Sequence, residues 1–181
     1  MSVMRGGRVF EKVGVNISTV YGTLVTGNQR QDWLNSRYIL MWGWNPSEMR
    51  DGTNSEYFLK EARKKGARVV CIDPRMTMSA VALADEWVAI RPGTDVAMMS
   101  AMAWVMITEG LHDVDFIKRH CIGFDETQMP ESCRSEESYL DYILGVRDGQ
   151  PKTPEWAENI TSVPRDVITR IAREYATADA A

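Results

Sequence analysis

The chain has 181 residues, 44% of them hydrophobic, which is enough to bury one sizeable core and is the usual size of one domain. Its 21 Lys and Arg against 25 Asp and Glu leave a formal charge of −4, which offers no broad positive field and argues against nucleic acid as a partner. The longest apolar stretch, Val96 to Ile107, is bracketed by Asp95 and Glu109 and falls short of the ~20 residues that cross a bilayer, so it reads as a buried helix.

In chain order, MSVMRGGRVFEKVG has basic residues but neither an apolar segment nor a small-residue cleavage site, so it is not a secretory signal. Residues 1–36 read as an N-terminal segment. Its part up to about Arg30 is rich in Gly, Thr and Asn and is expected to be poorly ordered without neighbours. Residues 37–181 read as the domain proper. Arg37 to Met41 (RYILM) is β-branched and apolar, as a buried strand requires, and Gly43, Asn45 and Pro46 end it. After a loop comes EYFLKEARKK, where Tyr57, Phe58, Ala62 and Lys65 show mixed helical spacing, Asn54 or Ser55 can cap the start and Gly66 ends the run. Ala67 to Ile72 (ARVVCI) is a nearly continuous apolar run, suited to a parallel strand covered on both faces, and stops at Asp73-Pro74. Strand, crossover helix and strand make a βαβ unit, whose connection should be right-handed.

The pattern recurs as a short helix in MTMSAVAL, a strand in EWVAI, and RPGTD opening a long helix over Val96 to Thr108. From Gly110 onward shorter helical pieces, around DFIKRH, ESYLDYIL and PEWAENI, alternate with glycine- and proline-bearing turns and are expected to pack against the sheet rather than extend it. The last helix starts at Ser162-Val163-Pro164, with Ser162 as a cap and Val167, Ile168, Ile171, Ala172 and Tyr175 on one face. The expected fold is α/β: a Rossmann-like three-layer α/β/α arrangement with a mainly parallel sheet, plus extra short helices in the C-terminal half.

Cys71, Cys121 and Cys133 form no CxxC pair and are read as free structural thiols. Met98, Met99, Met102 and Met106 recur at helical spacing and are assigned to core packing rather than to a docking face. His112 and His120 lie outside the strand-end loops and are given surface or helix-terminal roles.

Ligands of an open parallel sheet sit beyond the carboxyl ends of its strands, so WGWNP, IDPR and RPGTD are the places for chemistry. Gly43 permits close backbone approach, Asn45 carries donors and an acceptor, and Trp42 and Trp44 offer aromatic faces; a plain strand-ending turn with tryptophans in the core fits equally well. The loop is not the GxGxxG turn of nicotinamide enzymes, which disfavours a simple NAD-dependent dehydrogenase. Asp73 stands where an acidic residue accepts from ribose hydroxyls, with Arg75 able to pair with a phosphate; an Asp-Pro turn with a surface ion pair is the alternative. In RPGTD, Gly93, Thr94 and Asp95 precede a helix whose first N–H groups are unpaired, suiting an anion or a polar ring edge, and Asp95 can accept from the paired N–H groups of guanine. Thr94 as a cap and Asp95 offsetting the helix dipole are the competing roles.

The ordered set WGWNPSE and VVCIDPRMTMSAVALADEWVAIRPGTDVAMM, with IDPR-T, A-AD and RPGTD in register, resembles the catalytic subunits of the dimethyl sulfoxide reductase family of molybdopterin oxidoreductases from about Asn28 to the end. The resemblance implies an internal fragment of a larger chain that binds one guanine dinucleotide of a bis(molybdopterin guanine dinucleotide) cofactor with molybdenum. The matching positions are Gly43, Trp44, Asn45, Pro46, Asp73, Arg75, Gly93, Thr94 and Asp95. It further implies oxygen-atom transfer on S- or N-oxides in the parent, with no catalytic or metal-ligating residue in this stretch and no turnover by the fragment alone. The parent is expected to carry an iron–sulfur cluster elsewhere, to work with an iron–sulfur electron-transfer subunit and a membrane anchor subunit, and to be exported and membrane-associated on the periplasmic or outer face. A formate, nitrate or polysulfide enzyme of the same family is the nearest alternative, and a stand-alone nucleotide-binding module is a different class.

Overall fold

The computed structural model describes residues 29–48, 54–133 and 138–181. The expected disorder of the segment up to about Arg30 falls almost wholly outside them. The compact unit Trp33–Ala181 holds every described strand; of the residues before it, 29–32 are described, and the Asp32 N–H donates to the Gln29 carbonyl at 2.9 Å.

Three strands, β1 (Tyr38–Trp42), β2 (Arg68–Ile72) and β3 (Glu86–Val88), form a parallel sheet in the order β1-β2-β3. The register pairs Tyr38 with Arg68 and Trp42 with Ile72 on one side of β2, and Val70 with Glu86 and Ile72 with Val88 on the other. Because side chains alternate along a strand, each strand feeds two layers. Tyr38, Val70, Ile72 and Val88 enter one core, and Met41, Val69 and Cys71 enter a second. The apolar run of ARVVCI is therefore continuous because both of its faces are covered.

The second core is closed by α1 (Ser55–Lys64) through Leu59 and α2 (Met78–Leu83) through Ala80 and Leu83. The first is closed by α3 (Asp95–Thr108) through Met98, Ala101, Met102 and Val105, by Ala157 of α6 (Pro154–Thr161), and by Ile168, Ile171 and Ala172 of α7 (Arg165–Thr177). Helices on both faces of a parallel sheet are the expected three-layer α/β arrangement. Full burial of side chains such as Leu59, Ile72 and Ile171 stabilises the fold by about 1.5–3 kcal/mol each. Two short helices, α4 (Val114–His120) and α5 (Tyr139–Leu144), complete the C-terminal half.

Several local expectations need correction. β1 begins at Tyr38 and takes in Trp42, because the ladder to β2 continues one residue past Met41. β3 ends at Val88, short of Ile90. The buried stripe of α1 is Ser55, Leu59 and Ala62, spaced four and three residues apart; Tyr57 lies off that stripe and is 58% exposed. Met98 and Met102 are core residues and Met106 packs on them partly buried, but Met99, rotated about 100° from Met98, is exposed. α4 buries none of its residues and so does not seal the sheet. Asn54 stands before α1 in the left-handed region (φ 74°) and makes no side-chain cap. Ser162 does not open α7: at φ 63° it ends α6, and Pro164 precedes α7 without a capping bond. The α-helix caps that form among the described residues are Thr77, Asp113, Ser138 and Thr153, each accepting from a backbone N–H of the first turn it precedes. Cys71 is buried, Cys121 half-buried and Cys133 exposed, and all three are free thiols. His120 closes α4, and His112 places Nδ1 3.3 Å from the Met106 carbonyl, in keeping with helix-terminal and surface roles.

Candidate functional site

The parallel register sets Trp42, Ile72 and Val88 side by side, so the segments that follow them leave the sheet at one edge. The ladder carries on into these segments: the Gly43 N–H donates to the Ile72 carbonyl at 2.9 Å and the Asp73 N–H to the Val88 carbonyl at 3.2 Å. Side chains then tie loop to loop. Trp42 Nε1 donates to Asp95 Oδ1 at 2.8 Å, linking the end of β1 to the first residue of α3. Trp87 Nε1 donates to the Asp73 carbonyl at 2.9 Å. The buried Ser79 of α2 donates to Asn45 Oδ1 at 2.6 Å and accepts from the Ser47 N–H at 2.8 Å, which holds the turn after Gly43 against the start of α2. The Arg91 N–H donates to the Thr161 carbonyl at 2.9 Å and its guanidinium to Ser162 Oγ at 2.8 Å, fastening the third loop to the end of α6.

Each of the nine residues singled out in the sequence has a definite place. Gly43 (φ 56°) and Gly93 (φ 77°) occupy backbone conformations that other residues adopt at a cost, and a Cβ added at either would meet no atom within 4 Å. Asn45 and Pro46 form a turn closed by the Glu48 N–H on the Asn45 carbonyl at 3.1 Å. Trp44 packs with Trp33, ring centroids 5.6 Å apart at 75°, against the core beneath α1 and α2. Asp73 Oδ1 accepts from the Arg75 N–H at 2.8 Å, the local turn expected of Asp-Pro, and Arg75 is an exposed side chain 3.6 Å from Glu48. Thr94 does not cap α3: its hydroxyl donates to the Arg91 carbonyl at 2.7 Å. Asp95 accepts from Trp42 through one oxygen, and its second oxygen has no hydrogen-bond partner among the described residues.

Trp42 as a donor, Ser79 and Arg91 were not singled out in the sequence. Trp42 was legible as an aromatic, but its partner lies 53 positions away, and Ser79 sits inside an apolar helix where nothing local marks it. Beside this edge, burial first and the Asp73 carboxylate second push the Cys71 thiol up to about 11, so it stays protonated at neutral pH. Glu56, beside Ser47 and 3.2 Å from the Lys60 ammonium, is held below the usual carboxylate range. Among the described residues no group of three or more His, Cys, Asp and Glu can hold a metal ion, and no helix is long and apolar enough to cross a membrane.

Residues 9–170 match the family model for molybdopterin oxidoreductases. The chain belongs to the molybdopterin oxidoreductase family. Its relatives in that family include dimethyl sulfoxide reductase DmsA of Escherichia coli (strain K12), 43% identical over 166 residues that cover 90% of this chain and 20% of that protein. Trimethylamine-N-oxide reductase of Haemophilus influenzae is 33% identical over 87% of this chain and 19% of its own length. Among solved structures, acetylene hydratase from Pelobacter acetylenicus superposes with a TM-score of 0.57 at 28% identity, covering 80% of this chain and 17% of that one. The chain thus spans about a fifth of the length of the molybdopterin oxidoreductases it matches.

Proposed function

We propose that this part of a molybdopterin oxidoreductase binds the guanine dinucleotide portion of the cofactor across the carboxyl edge of its sheet. The observation that carries the reading is the gathering of three strand-end loops at one edge, with the Trp42–Asp95 hydrogen bond joining the first to the third. The edge suits such a group. Open space lies over Gly43 and Gly93, so a ligand can approach the backbone there closely. At the start of the 14-residue α3 the Ala97 N–H is taken by the Thr94 carbonyl, and the N–H groups of Asp95 and Val96 before it favour negative charge. Two carboxylates, Asp73 and Asp95, stand where donors of a ribose and of a base edge can reach them.

In this reading the Gly43–Pro46 turn and the Gly93–Thr94 backbone cradle phosphates, Arg75 neutralises them from the rim, Asp73 accepts from the ribose and Asp95 from guanine. Trp44, packed on Trp33, shapes the first loop rather than stacking on the ligand. When bound, the cofactor supplies the molybdenum centre and its redox chemistry; this stretch of chain places and orients it.

The relatives' activities support oxygen-atom transfer on an S- or N-oxide as the reaction of the whole protein. With that reaction we propose two pterin dinucleotides at the metal, an iron–sulfur cluster, an iron–sulfur electron-transfer subunit, a membrane anchor subunit and a periplasmic or outer-face location. The acetylene hydratase likeness shows that the scaffold alone does not set the reaction, so the substrate assignment rests on the relatives and not on the fold.

Titrating the chain with GDP while following tryptophan emission tests the reading. Saturable quenching with half-saturation at or below about 1 mM, and weaker binding of ADP, is expected. A flat titration, or equal response to both nucleotides, refutes it.

A further inference from the structure

We propose that Trp42 is a positioning residue for base recognition: its indole N–H holds the Asp95 carboxylate in the orientation that reads the guanine edge. The inference deepens the reading above and rests on it.

Trp42 is the last residue of β1, paired with Ile72, and its ring packs partly buried against the core formed with α3. That packing restrains the ring and, with it, the direction of its N–H. That N–H meets Asp95 Oδ1 at 2.8 Å across 53 positions of sequence. An aspartate needs such a restraint. The terminal torsion of its side chain is broad, and at the first position of a helix the carboxylate can turn back towards the unpaired backbone N–H groups of its own helix. Reading guanine demands a different pose, since the ring N–H and the exocyclic amine point the same way and a carboxylate receives both only with its two oxygens along that edge. The indole is a donor with no acceptor atom, so it can pair with Asp95 but cannot bind the guanine donors in its place. One oxygen is steadied by Trp42, and its remaining lone-pair capacity together with the whole of the second oxygen stays open to the base.

A purely structural bond would change stability and leave base selectivity alone. The test is therefore selectivity between GDP and IDP, which lacks the exocyclic amine, measured by calorimetry on wild type, W42F, D95N and the double variant. Wild type should favour GDP over IDP by about tenfold, the worth of one charge-assisted hydrogen bond. W42F should reduce the preference to about twofold or less while IDP binding changes little. D95N should abolish the preference, and adding W42F to it should have no further effect on selectivity. Circular dichroism and melting establish that each variant is folded; if W42F is not, benzothienylalanine at position 42 keeps the two-ring shape and removes only the N–H. A W42F or benzothienylalanine protein that keeps the wild-type preference overturns the proposal, as does simple additivity of W42F and D95N. Failure of wild type itself to bind GDP overturns the site reading, a result visible before any variant is made.

Discussion

Replacing Gly145 by alanine should be among the most damaging single changes in the C-terminal half, and the structure says why. Gly145 ends α5 at φ 73°, a conformation that costs a residue with a Cβ about 1–2 kcal/mol. The larger penalty is steric. A Cβ there would lie 2.3 Å from the Pro151 nitrogen and 2.4 Å from the Gln150 carbonyl carbon, both backbone atoms that cannot rotate aside. To make room the 145–151 loop must lift, and the bond from the Lys152 N–H to the Ile143 carbonyl at 2.9 Å goes with it. Lys152 itself is 2% exposed; its ammonium is paired with Asp148, donates to the Gln150 carbonyl and sits 4.7 Å over the Tyr142 ring. Disturbing a buried, partnered charge is costly in its own right. Together these effects should destabilise G145A by about 3–5 kcal/mol in urea denaturation. Gly149, four residues on in the same loop, is the control: its φ is 67°, but a Cβ there meets no atom within 4 Å, so G149A should lose only about 1 kcal/mol. If the two variants unfold at the same urea concentration, the close-approach argument is wrong.

Thiol labelling of the native protein should modify Cys133 first and Cys121 more slowly, leaving Cys71 untouched until unfolding; reaction of Cys71 at the rate of Cys133 would contradict its burial. The same thiol makes stability fall at high pH. Folding raises its pKa from 9.0 to about 11, so the folded protein keeps a proton that the unfolded chain has lost, and the contribution, complete below pH 9, disappears between pH 9 and 11. At about 1.4 kcal/mol per pKa unit the loss approaches about 3 kcal/mol. Tyr38, raised by burial and then by its hydrogen bond to Glu174, acts in the same direction, so a C71A protein should show a shallower alkaline decline but not a flat one. At the acid end the sign reverses. Glu109 is lowered by its hydrogen bonds from Arg173, and Asp148 by Lys152, so the stability they lend is present above the usual carboxylate pKa and is lost as pH falls through the folded values. Melting temperatures of wild type and R173A should converge as pH drops below about 4; a constant gap would show that Glu109 and Arg173 are not coupled through charge.

What the sequence by itself determined is local. The apolar runs RYILM and ARVVCI specify strands because each residue pair feeds two covered faces, and the Gly, Pro and Asp residues that interrupt them locate the loops of the candidate site. Those loops also carry the motifs by which membership of the family is recognised, since residues that shape a strand-end turn lie within a few positions of one another. Tertiary structure decided whatever depends on partners far along the chain. Ser162 reads as a helix start, yet Arg91, 71 positions away, takes its hydroxyl, and its left-handed backbone ends the preceding helix. Nothing in PKTPEW marks Lys152 as buried, yet it is enclosed by Tyr142, Trp156 and Asp148. Trp42 and Asp95 appear as an aromatic and a helix-start acid, and only the parallel register and the packing of α3 on the sheet bring the indole N–H to the carboxylate. Periodicity and turn chemistry act over a few residues, whereas the orientation of a side chain at the site is set by contacts that exist only once the layers have closed.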